Sequence, residues 1–88
     1  MTSSQEDSRR IGVVSIIVTS RKEQARDINS ILSDYGDIII GRMGLPYPPK
    51  KINIISLMVH GSTDKIGAMT GKLGLIEGVM VKSALTKA

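Results

Sequence analysis

Eighty-eight residues with 12 Lys and Arg against 8 Asp and Glu, a net charge of +4, make one domain and leave no room for a second core. The absence of Cys excludes a disulfide framework and a thiolate metal site, and two Tyr with no Phe or Trp leave an aliphatic core. Basic residues stand beside acidic ones, as in Arg21-Lys22-Glu23 and Arg26-Asp27, so the charge reads as a solvated mixed surface and no nucleic-acid patch is expected.

Residues 1–10 are polar apart from Met1 and are expected to form a disordered tail, with a single domain over 11–88. Arg9 and Arg10 ahead of an apolar run resemble an export signal only superficially. The run is short, Glu6 and Asp7 precede it, and no small-residue cleavage site follows. No stretch approaches the roughly 20 apolar residues of a membrane span. A cytoplasmic protein without a membrane partner is expected.

Residues 11–19 (IGVVSIIVT) are Val- and Ile-rich with apolar residues on both faces, which predicts a central strand. Ser20 and Glu23 form a capping box that opens a helix over about 21–35. Its apolar stripe is Ala25, Ile28, Ile31, Leu32 and Tyr35, with Gly36 placed for a left-handed cap. A second strand is predicted over 38–43. Pro46, Pro48 and Pro49 then break regular structure over 44–51. Residues 52–60 (INIISLMVH) form a third strand, again apolar on both faces and hairpin-linked to the second.

Ser62 or Thr63 caps a second helix whose buried stripe is Ile66, Met69 and Leu73 and whose stop is Gly74. Gly67 and Gly71 weaken that helix, and close backbone packing is the expected reason for them. Residues 79–84 make the last strand. The order β-α-β-β-α-β predicts an α+β, ferredoxin-like sandwich, with antiparallel sheet order 4-1-3-2 and both helices on one face.

Catalytic chemistry is faint. His60 is the only histidine, and a lone His after an apolar strand is more often a hydrogen-bonded structural residue than a ligand. No Cys, His pair or carboxylate cluster has metal-ligand spacing, so no metal and no cofactor are expected. Ser15, Ser56 and Ser83 lie within strands with no base signature beside them. The glycines match neither a phosphate loop nor a dinucleotide fingerprint. RNA-recognition motifs share the topology but stack bases on sheet aromatics, which this chain lacks.

Four stretches, RIGVVSIIV, YGDIIIGRMGLPY, ISLMVHGSTDKIGAMTGKLG and GVMVKSAL, resemble the family named as regulators of the iron-only hydrogenase system. The similarity runs over residues 10–84, most specifically at Gly41-Arg42-Met43-Gly44 and Lys72-Leu73-Gly74. The resemblance implies an ACT-like ferredoxin fold related to the regulatory domain of nickel-responsive repressors, and it brings no catalytic residues. Those repressors hold nickel with several His and a Cys, so nickel is not carried over to a chain with one His. Amino-acid-binding ACT domains have a Gly in the first strand-helix loop; here that loop is Thr19-Ser20-Arg21-Lys22.

The expected function is a non-enzymatic regulatory or sensor module acting through oligomerisation and contact with another protein, with a small effector at a subunit interface. A ligand-free assembly domain is the alternative. Arg42, Tyr47 and His60 are the candidate ligand or interface residues, since they sit at strand ends and in the connecting loop. Self-association is expected through the uncovered sheet face or an edge strand. In the first strand Ile11, Val13 and Ile17 oppose Val14, Ile16 and Val18, so whichever set meets the helices, an aliphatic patch remains.

Overall fold

The β-branched runs form four strands, and the computed structural model describes residues 9–19 and 22–87. They are β1 (Arg9–Thr19), β2 (Ile39–Tyr47), β3 (Ile52–Ser62) and β4 (Val79–Leu85), with helices α1 (Lys22–Asp34) and α2 (Thr63–Gly74) between them. All neighbours are antiparallel, in the order β2-β3-β1-β4, which is the expected 4-1-3-2 seen from the other edge. The ferredoxin-like βαββαβ topology stands.

One parity of each central strand meets the helices. Val14, Ile16 and Val18 of β1 and Leu57 and Val59 of β3 are buried against Ile28 and Leu32 of α1 and Ile66, Met69 and Leu73 of α2. Removing such side chains from water stabilises the fold by roughly 1.5–3 kcal/mol apiece. The opposite parity, with Ile11, Val13 and Ile17, stays exposed. Both helices therefore lie on one face.

Local chemistry sets the element ends. The Ser62 hydroxyl accepts from the amide of Lys65 at 3.1 Å, which caps α2 as expected. The capping box at Ser20 lies outside the described residues, as do residues 1–8 of the expected tail. Arg9 and Arg10, placed in that tail, are strand instead, because they pair with Ser62 and Gly61. Lys65 also pairs with Asp37 of the 3-10 turn Gly36–Ile38, and its hydrogen bond holds the Asp37 carboxyl below the usual range. Lys72 sits 5.1 Å over the Tyr35 ring and ties α2 to the end of α1.

Several expectations give way to pairing. β2 does not stop at Met43. It runs on through Leu45, Pro46 and Tyr47, paired with Ile54, Asn53 and Ile52. Pro46 is tolerated because β2 is an edge strand, where one missing donor breaks no interior ladder. Gly36 makes no left-handed cap, since among the described residues positive φ occurs only at Lys51 and Gly78. The chain leaves α1 through the 3-10 turn instead.

Ala25 is exposed, and Gln24 takes its place in the buried stripe. Its amide is satisfied there: Oε1 accepts from the Thr19 hydroxyl, and Nε2 donates to the Glu77 carbonyl at 2.6 Å. The close packing expected at Gly67 and Gly71 is absent within the chain, since both face open space. The glycine that does serve close approach is Gly12, where a Cβ would meet the Ala84 carbonyl oxygen and Leu85 Cδ2.

Candidate functional site

The register divides the three candidate residues between the two faces of the sheet. Arg42 pairs with Leu57, so it shares the helix-facing row with Val14 and Leu57 at the β2 edge. Tyr47 and His60 fall on the open face. Tyr47 pairs with Ile52, eight residues from His60 along β3. At about 3.3 Å per residue this separates the two by roughly 26 Å. The three do not gather into one site.

Arg42 is the one with a built environment. Its guanidinium donates to Asn29 Oδ1 of α1 at 2.8 Å. No carboxylate among the described residues pairs with it. On one side of this bridge lies a cavity of about 150 Å³ walled by Val18, Ala25, Ile28 and Ile55 and bordered by Gly44 and Leu45 of the β2 edge, with Thr19, Asn29, Arg42 and Asn53 as its polar groups. On the other side a shallower hollow is lined by Asn29, Leu32, Ser33, Gly36, Ile39 and Arg42. A groove thus runs between α1 and β2 with a held cation across its middle. An apolar wall with a few convergent polar groups is the usual make-up of a small-molecule site. Asn29 was missed in the sequence, where nothing marks an Asn on the outer side of the α1 stripe as a partner for Arg42.

The open face carries the other chemistry. Ten large apolar side chains are exposed among the described residues, and seven of them, Ile11, Val13, Ile17, Met43, Leu45, Tyr47 and Met80, project there by register. Met43 is 67% and Met80 62% exposed, and the seven share one face of the sheet rather than being scattered singly. Among the described residues, no three His, Asp or Glu gather closely enough to hold a metal ion. Among the same residues no helix is long and apolar enough to cross a membrane.

No curated protein matches the chain. The family model described as "TM1266-like: Iron-only hydrogenase system regulator, putative" matches residues 10–83. The chain belongs to this family. Among solved structures the TM1266-like chain is similar to the protein TM1266 of Thermotoga maritima, at 35% identity and a TM-score of 0.85. That match covers 88% of this chain and 96% of the other. The ACT domain of the Chlorobium tepidum GTP pyrophosphokinase superposes with a TM-score of 0.73 at 19% identity, over 86% of this chain and 99% of that one. A homoserine dehydrogenase from Thiobacillus denitrificans matches with a TM-score of 0.62 at 21% identity, over 92% of this chain but 18% of its own length. The last two establish the fold alone: the TM1266-like chain is ACT-like.

Proposed function

We propose that the chain is a cytoplasmic, non-catalytic regulatory module of the iron-only hydrogenase system that acts by binding. It contacts another protein and responds to a small anionic effector seated in the groove between α1 and β2. The observation that carries this reading is Arg42, a cation held by a neutral amide at the mouth of an apolar cavity. A guanidinium facing a carboxylate forms short, charge-assisted hydrogen bonds, and the aliphatic wall takes a short apolar chain. Family membership supplies the link to the hydrogenase system.

Thermal unfolding and calorimetry with a panel of short-chain carboxylates and amino acids test the effector. A true ligand at about 100 times its Kd contributes about 2.7 kcal/mol, enough to raise Tm by about 10–20 °C in a domain this small. Arg42→Ala should weaken that binding by about tenfold or more, with Arg42→Lys only partly restoring it. If no member of the panel shifts Tm or releases heat, the effector reading fails and a ligand-free assembly domain takes its place.

A further inference from the structure

The register of the sheet orders the open face into rows. Across the centre run Met43, Ser56, Ser15 and Lys82. On one side lies the apolar row Leu45, Ile54, Ile17 and Met80, and on the other Gly41, Met58, Val13 and Ala84, with Ile11 beyond. A line that is polar at Ser56, Ser15 and Lys82 is thus flanked by two apolar bands. We infer that this face seats a second copy of the chain, in a face-to-face dimer whose twofold axis lies between the sheets and runs along the central strands.

Self-complementarity is the first argument. Such an axis lays the polar line on the polar line and each apolar band on its own copy, which is what an isologous interface requires. Ser15 of one copy then meets Ser56 of the other, and both hydroxyls can donate and accept. Aligned sheets pack this way, about 10 Å apart.

Area is the second. Four strands about 4.8 Å apart and rows spanning about 26 Å offer roughly 500 Å² per copy, or about 1,000 Å² in all, the threshold for a stable interface. Charge is the third. The described carboxylates, at Glu23, Asp27, Asp34, Asp37, Asp64 and Glu77, all lie on the helices or turns, and none projects from the open face. By register the face has Lys82 at one edge, His60 and Arg9 at one end and no basic cluster at its centre, so its middle selects an apolar partner over an acidic one. The chosen axis also offsets the two Lys82 by about 14 Å across the strands, each over the partner's Met43 edge, whereas an axis across the strands would stack them.

The sheet edges are poor rivals. β2 is interrupted by Pro46 and by the register shift between Ile39 and Gly41, and β4 is short and carries Lys82. Each is a device that discourages edge pairing. The effector groove opens on the helix side of the sheet and shares the β2 edge residue Leu45 with this face, so Val13→Lys and Arg42→Ala, which lie on opposite faces, test the dimer and the groove separately.

Light scattering across a dilution series of the full chain should report twice the 9.5 kDa monomer mass. Val13→Lys should weaken association by about 100-fold, because a lone charge would be buried in an apolar band. Met43→Lys, at an exposed edge where folding is not at risk, should weaken it too, while Leu75→Lys at the far end of α2 should leave it unchanged. Circular dichroism checks that each variant is folded. The chain has no cysteine, so introduced thiols react alone. A mixture of Met43→Cys and Lys82→Cys chains should be joined by a short bismaleimide, and Lys82→Cys alone should not. A wild-type monomer at high concentration, or dimers indifferent to Val13→Lys and Met43→Lys, would overturn the interface. Efficient self-linking of Lys82→Cys would overturn the axis.

Discussion

Leu57→Ala is expected to destabilise the fold by about 3–5 kcal/mol, against a total of about 4–13 kcal/mol for a domain of this length. Leu57 is fully buried on central strand β3, with Val14 beside it on β1 and the core residues of α1 and α2 above. Truncation removes its transfer energy and leaves a cavity. The cavity cannot close, because β3 is held by ladders on both sides and both helices are capped or tied elsewhere. Urea unfolding at fixed protein concentration should show a lower midpoint with an unchanged slope. A loss under about 1 kcal/mol would mean that the helices settle onto the gap and that the core is looser than its burial implies.

Gly78→Ala is expected to cost about 2–3 kcal/mol from two causes that can be separated. Gly78 has φ +82°, a conformation that residues with a Cβ adopt at a cost, and a Cβ there would meet Nε2 of Gln24. The end of a Gln side chain ordinarily moves aside cheaply. This one is buried and hydrogen-bonded to both Thr19 and Glu77, so displacing it leaves buried polar groups unpaired. Gln24→Ala alone should lose those bonds. The double variant Gly78→Ala with Gln24→Ala should then fall short of the sum by about 1 kcal/mol, since the clash is gone and only backbone strain remains. Strict additivity would show that the Gln24 clamp does not sense position 78. The clamp joins the end of β1 to α1 and to the turn before β4. The Gly78→Ala chain should therefore also lose part of any effector response that depends on Asn29 and Arg42 in the groove.

Element type and order were legible because they rest on local chemistry. Alternating or continuous Val and Ile make strands of 11–19 and 52–60, and helical spacing buries Ile28, Leu32, Ile66, Met69 and Leu73. The Ser62 cap needs only a hydroxyl three residues before an amide. Even the excess of apolar surface was readable, since β1 and β3 are aliphatic at both parities. Which parity is buried was not readable, because Val13 and Val14 are chemically alike and only the placement of α1 and α2 chooses between them. Gln24 could not be preferred over Ala25 for the same reason: its partner Glu77 is 53 residues away and appears only when the chain has folded. Arg42 is the sharpest case. Simple alternation from Ile39, which packs on the core, would turn Arg42 to the open face with His60 and Tyr47 to the helix face. The register shift between Ile39 and Gly41 inserts one extra residue, and a one-residue slip reverses every side chain after it. That bulge turns Arg42 toward Asn29 and the groove and Tyr47 to the apolar face, at the opposite end from His60.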